Sequence, residues 1–349
     1  MQDILIEPVD PHVLTEADWL AVCGLLNPFR HEIDVSLTLL DAAEARRRYT
    51  SAEQFYRTNY AWARQPDGAL VGWLEAGRFM QSDRNGHLLE FEIIVAAPFR
   101  RQGIGSALLQ QVVALAESEG RTLLDSHANS RLPAALAFLL RIGGAIGMQH
   151  VTNELALADV DQELMQSWIE RASERAGDYA LVAIPSPLTT EMLEPLAAML
   201  RLMNTAPLED LRVDDIQWTA ADVREIDNNL LRRGGTRFIL AACHRPSGEF
   251  VGYTELIWYG FQPQFLWQED TVVAPEHRHR GLGRWLKAAN LRRVMAERPE
   301  AQRIRTGNAG SNTPMLAINH EMGFRPIFTN AIVQIPTAAA RAYLTERAS

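Results

Sequence analysis

The chain has 349 residues, against roughly 100–200 for a common single domain, which predicts two domains. Apolar residues make up 47% and charged residues 22%, which excludes intrinsic disorder, collagen-like repeats and disulfide-stapled mini-proteins. With 34 Lys and Arg against 43 Asp and Glu the net charge is −9, which disfavours nucleic-acid partners and favours cationic ones such as amines.

The opening MQDILIEPVDPH lacks the basic start and long apolar run of a signal peptide. No stretch approaches the ~18 apolar residues that span a bilayer, so no membrane partner is expected. A strand, ILIEPV, leads into helices around Thr15–Leu26 and Leu40–Tyr49. A hairpin follows, FYRTNYAWA and LVGWLEAGRF, turning at Gln65-Pro66-Asp67-Gly68. An apolar strand from Leu88 to Ala96 enters a glycine loop, then the helix SALLQQVVALAESEG, the strand RTLLDS and a short helix ending at Gly143. The Glu-rich stretch from Asp161 to Asp178 reads as a linker.

The second half repeats the order. It has helices near Glu191–Met203 and Asp222–Arg232, then a hairpin, RFILAACHR and FVGYTELIWY, across Pro246-Ser247-Gly248. A strand from Asp270 to Ala274, a glycine loop, the helix RWLKAANLRRVMAERPE, the strand AQRIRT and a short helix ending at Gly323 complete it. The loops superpose without a gap, VAAPFRRQGIG over 95–105 and VAPEHRHRGLG over 273–283. This is a duplicated domain, 1–160 and 179–349, joined by 161–178. Mixed antiparallel and parallel connections make each copy α/β or α+β.

A strand running into R-x-x-G-x-G and a helix presents unpaired main-chain N–H groups at a helix N-terminus, a site for phosphate oxygens. The Rossmann fingerprint fails because its third glycine is Leu108 in one copy and Leu286 in the other, and no G-x-x-x-x-G-K-[ST] occurs. His277 and His279 resemble a metal pair, but no further ligand stands at a matching spacing, so no metal is expected. Cys23 and Cys243 lie too far apart in sequence for a disulfide framework, and a soluble, cytoplasmic protein is expected.

Arg100-x-x-Gly103-x-Gly105 and Arg278-x-x-Gly281-x-Gly283 resemble the acetyl-CoA pyrophosphate loop of the GNAT N-acetyltransferase superfamily, here in tandem. The resemblance implies that Arg100, Arg101, Gln102, Gly103, Ile104, Gly105 and Ser106 hold the pyrophosphate in the first copy. In the second copy it implies the same of Arg278, His279, Arg280, Gly281, Leu282, Gly283 and Arg284. The backbones of Ile94–Val95 and Val272–Val273 would receive the pantetheine and polarise the thioester. A carboxylate on that strand is the usual base; three residues before the aligned valines stand Glu92 and Asp270, with Glu90, Glu255 and Glu269 as competitors. Strand alternation puts Glu269 on the face opposite Asp270 unless a bulge intervenes.

The family's usual acid, a Tyr, is replaced by Leu139 and Asn319, and the Asn that meets the pantetheine is Leu132 in one copy and Asn312 in the other. The implied activity is therefore acetyl transfer from acetyl-CoA to an amine of a small molecule or peptide. The C-terminal copy is expected to be catalytic and the N-terminal copy a cofactor-binding relic. The alternative is a non-catalytic acyl-CoA-binding protein. The aromatics Trp258, Tyr259, Phe261, Phe265 and Trp267 either line a cleft for a cationic amine or pack as core.

Overall fold

The computed structural model describes residues 4–51, 56–80 and 84–348. Residues 1–3 of the opening segment and Phe55 of the first hairpin lie outside them. In chain order the first elements are β1 (Leu5–Val9), α1 (Glu16–Ile33), α2 (Ala42–Thr50), β2 (Tyr56–Arg64), β3 (Leu70–Phe79) and β4 (Leu88–Val95). There follow α3 (Ile104–Ser118), β5 (Leu123–Asn129), α4 (Pro133–Arg141), β6 (Ala145–Ala156) and α5 (Gln162–Arg175). Next come β7 (Tyr179–Ile184), α6 (Thr190–Arg201), α7 (Ala220–Arg232), β8 (Gly235–His244), β9 (Glu249–Tyr259) and β10 (Phe265–Val273). Last are α8 (Leu282–Glu297), β11 (Arg303–Ala309), α9 (Thr313–Met322), β12 (Arg325–Pro336) and α10 (Thr337–Ala348). Among the described residues no helix is long and apolar enough to cross a membrane.

Helix starts follow the sequence. Thr15 caps α1 and Thr219 caps α7 through reciprocal bonds with Asp18 and Asp222. Helix α1 runs past the expected end at Leu26, through Pro28 to Ile33. The ring of a helical proline crowds the carbonyl four residues earlier, which here belongs to Gly24, a residue with no side chain of its own.

Two compact units result, but not along the expected boundaries. One comprises residues 1–149, 209–214 and 330–349; the other, residues 150–208 and 215–329. In the first unit the strands run β1-β2-β3-β4-β5-β12, all antiparallel except the β4–β5 pair. Here Asn330–Pro336 of β12 lie against Asn129–Leu123 of β5. In the second unit the strands run β7-β8-β9-β10-β11-β6, with β10–β11 the parallel pair and His150–Ala156 of β6 against Ala309–Arg303 of β11.

The two copies have therefore traded their last strand and helix. Ala331, Val333 and Ile335 of β12 join Leu108, Leu109, Val112 and Val113 of α3 in the first core, and α10 packs on α3. Residues 161–178, expected as a linker, hold α5, capped by Asp161. Met165 and Trp168 of α5 are buried with Leu291 and Val294 of α8. Each such side chain contributes roughly 1.5–3 kcal/mol by leaving water, enough to make a Glu-rich helix a core element.

Candidate functional site

The two glycine loops have the same backbone. Each leaves its strand through a short 3-10 turn, Ala97–Phe99 and Pro275–His277. Each then places two left-handed residues two apart, Arg101 (φ 66°) and Gly103 (φ 92°), His279 (φ 62°) and Gly281 (φ 80°). Such a sequence of conformations turns successive N–H groups inward and makes an anion nest at the N-termini of α3 and α8. Gly103 and Gly281 need glycine for their backbone. Gly105 and Gly283 do not: a Cβ there would meet only Val95 at 4.0 Å or Ile318 at 3.5 Å. Those two positions have room for a side chain, and a ligand against the helix start would take it.

Arg100 and Arg278, expected on the pyrophosphate, fold back instead. Their Nε atoms donate to the strand-end carbonyls of Val95 and Val273, each at 2.9 Å. Arg100 also makes a two-pronged ion pair with Glu32 at 2.7 and 2.9 Å, and Arg278 donates to Thr205 Oγ1 at 2.9 Å. They brace the loops from the strand ends.

Beside each loop a slot opens in the sheet. Pairing of β4 with β5 stops at Glu90 and Asp125, and that of β10 with β11 stops at Gln268 and Thr306. The backbone of Ile94–Val95 and of Val272–Val273 lies beyond these points, on the edge that borders the slot. An extended amide-bearing chain is the ligand such an edge accepts, by adding a strand.

The carboxylates differ between the units. In the first, Glu92 of β4 lies directly opposite Glu75 of β3. In the second, the register of β10 slips between Gln268 and Thr271, so both Glu269 and Asp270 oppose Glu255 of β9. This bulge overturns the alternation that put Glu269 on the far face. The bulge is tied by Gln268 Nε2 donating to the Glu255 carbonyl at 2.7 Å and by Thr254 Oγ1 and Thr271 Oγ1 at 2.8 Å. Tyr253 donates its hydroxyl to Asp270 Oδ2 at 2.9 Å, and Arg237 pairs with Glu255 at 2.9 Å. Asp227, fully buried on α7, stands 3.8 Å from Arg237.

The electrostatics follow from this crowding. Desolvation pushes Asp270 above the usual carboxylate range against the Tyr253 bond, and pushes Glu255 up against Arg237. Glu269 is pushed up to about 7, first by desolvation and then by Glu255 and Asp270, although its surface stays open to solvent. Glu92 likewise rises to about 7, by desolvation and then Glu75, on a side chain that also meets solvent. Tyr253, raised by burial and then by Asp270 and Glu255, keeps its proton and remains a donor. Of the competitors, Glu90 is occupied by the Tyr56 hydroxyl at 2.6 Å.

Asn312 caps α9, its Oδ1 accepting the N–H of Met315 at 3.4 Å, a task Leu132 leaves undone on α4. Asn319, in place of the expected acid, is buried and donates to Asn308 Oδ1 at 2.6 Å. The first unit has Ala128 and Leu139 at the corresponding places, both in the apolar core. Neither Leu139 nor Asn319 can give up a proton.

Of the five aromatic positions Phe265 is buried and the other four are half-buried. Arg298 covers Trp258 at 4.7 Å, Arg305 covers Phe265 at 4.3 Å and Arg233 covers Tyr259 at 5.5 Å. His277 Nδ1 shares a hydrogen bond with the Tyr179 hydroxyl at 2.8 Å, and its ring lies tilted against that of His244 with centroids 5.0 Å apart. Among the described residues no three His, Cys, Asp or Glu gather as metal ligands. Glu75, Arg237, Asp227 and Tyr253 escaped the sequence reading. Counting the hairpin register back from the turns would have found Glu75 and Tyr253.

A family model for "Acetyltransferase (GNAT) family" matches residues 28–143 and 199–324. No curated protein matches the chain. Among solved structures, it is similar to a tandem GNAT protein from the clavulanic acid biosynthesis pathway, at 21% identity and TM-score 0.76, covering 96% of this chain and 99% of that one. It is similar also to a GCN5-related N-acetyltransferase from Sphaerobacter thermophilus, at 14% identity and TM-score 0.66, covering 96% of each chain. Both likenesses are of fold.

Proposed function

The chain belongs to the acetyltransferase (GNAT) family, and from that membership we propose that it moves an acetyl group from acetyl-CoA to the primary amine of a small molecule or peptide. The fold supports acyl-CoA N-acyltransferase chemistry in general; acetyl as the group and an amine as the acceptor are the finer reading. The observation that carries it is the bulge of β10, which gathers Glu269 and Asp270 opposite Glu255, three residues before the strand ends at Val273 and leads into the glycine loop. An alkyl ammonium titrates near ~10, so a neighbouring carboxylate with a raised affinity for protons is the partner it needs at neutral pH. The second unit is the catalytic one in this reading, and the first holds coenzyme. A reducing, cytoplasmic setting suits the free thiols of Cys23 and Cys243.

A second reading has one observation behind it. With Asn319 and Leu139 where the proton donor is expected, a protein that binds acyl-CoA without turning it over fits as well. Thiol release from acetyl-CoA, screened over amines, amino acids, aminoglycosides and peptides, separates the two. Release above the protein-free rate supports the enzyme; tight coenzyme binding with no release for any acceptor supports the binder.

The coenzyme sites have their own test. Gly283→Glu and Gly105→Glu put a side chain and a negative charge against the helix start without straining the backbone. Each is expected to remove one site from the calorimetric stoichiometry of acetyl-CoA. Unchanged stoichiometry and affinity in both variants would refute the phosphate-loop assignment.

A further inference from the structure

The cavity beside Gly281 has a wall that the loop does not supply. It encloses about 650 Å³, within the usual ~300–1,000 Å³ of a ligand pocket, and α5 forms one side with Trp168 and Arg171. His279, Arg280, Gly281 and Arg284 form the other side. Among the described residues the one acidic side chain lining it, Glu321, is already paired with Arg284 at 2.6 Å. In a chain of net charge −9 this is a locally cationic pocket. Arg171 and Arg280 are both exposed, and none of the ion pairs of the described residues includes either. Trp168 is buried beneath the Arg284 guanidinium, 5.4 Å from its ring, and gives α5 a fixed seat against the loop.

The first unit repeats the device with different residues. There α10 brings Tyr343 and Arg347 to Ser106, just inside α3: the two hydroxyls lie 3.3 Å apart, and Arg347 donates to Ser106 at 3.3 Å and to Tyr343 at 2.9 Å. In both units the helix that reaches the anion nest is the traded one.

We propose that Arg171 of α5 binds the 3′-phosphate of the coenzyme's adenosine, so that a helix encoded by the first copy completes the coenzyme site of the second. This deepens the coenzyme reading above and rests on it. The pyrophosphate uses the main-chain donors of the nest. The ribose phosphate, attached farther along the nucleotide, needs a separate cation outside the loop, and a guanidinium meets a phosphate in two-pronged fashion.

The test uses the full chain carrying Gly105→Glu, which leaves the second unit's site, and titrates coenzyme A and 3′-dephospho-coenzyme A by calorimetry. Without further change, coenzyme A is expected to bind about tenfold tighter than the dephospho form. Arg171→Ala is expected to abolish that preference by weakening coenzyme A alone, and Arg171→Lys to restore part of it. Equal weakening of both ligands, or no change in either, overturns the assignment of Arg171. Equal binding of both ligands before substitution overturns it too and leaves the coenzyme reading standing. Binding of neither ligand overturns that reading as well.

Discussion

Asp270→Asn is expected to lower kcat by ~10²–10⁴-fold, the usual contribution of a general base, while acetyl-CoA affinity stays within about twofold. The substitution keeps the size of the side chain and an oxygen for the Tyr253 hydroxyl, and removes the basic oxygen. Because a base works only without its proton, kcat/KM rises with pH as Glu255, Glu269 and Asp270 ionise. These groups sit close enough to titrate as a unit. Glu269, pushed up to about 7, gives the profile a limb in that region that Glu269→Gln should remove. Part of the activity lost in Asp270→Asn should return at high pH, where more of the amine is already neutral. Glu92→Gln, in the unit without the bulge, should cost far less. Equal losses from Asp270→Asn and Glu92→Gln would mean two working sites, and an unchanged kcat in Asp270→Asn would remove that residue from the mechanism.

Lys287→Met is expected to stabilise the protein at neutral pH by as much as about 4 kcal/mol. Lys287 is the sole lysine of the chain and lies on α8 with 2% of its surface exposed. Its ammonium faces the Phe324 ring at 5.8 Å, and none of the ion pairs of the described residues includes it. Desolvation lowers its pKa to about 7. The sign follows from proton counting. Between about 7 and the ordinary lysine value of ~10.4 the unfolded chain holds a proton that the folded chain does not, so stability rises with pH across that window. The gain from Lys287→Met is therefore full near pH 7 and shrinks toward pH 10. Thermal unfolding at pH 7, 8.5 and 10 reads it directly. With ¹⁵N-lysine labelling the protein also has one side-chain amine signal, and a midpoint near 10 in the folded state would contradict the expected cost.

The glycine loops were legible because their geometry is local. Two left-handed residues, a tight exit from a strand and a helix start all leave marks within a dozen positions, and the duplication doubled them. The carboxylate cluster was half legible. Counting along one strand found Glu92 and Asp270, but the bulge that recruits Glu269 belongs to the fit between β9 and β10, and the buried Arg237 and Asp227 come from β8 and α7. The loop arginines were placed on the ligand by analogy, whereas the carbonyls of Val95 and Val273 sit nearer to hand. Helix α5 was misread on composition: it carries as many charged residues as apolar ones, yet Met165 and Trp168, three apart, fall on one face and are buried. The traded strands were invisible. Asn129 and Asn330 bond to each other across 201 positions, and no local pattern announces a partner so far away.

That distance bears on how the protein is made. A ribosome that has finished β5 has written most of the first unit, yet the strand that pairs with Leu124 and Ala128 is still some two hundred codons downstream on the message. Until β12 emerges, the nascent first unit carries an open sheet edge, the sort of surface that recruits chaperones or other chains. Pairing across so long a loop is also slow, because its closure entropy precedes any contact that repays it. The same wiring ties the two copies together as genes. Deleting the N-terminal copy would strip β6 and α5 from the second unit, so a half that had lost its chemistry would still be retained for the strand and helix it lends.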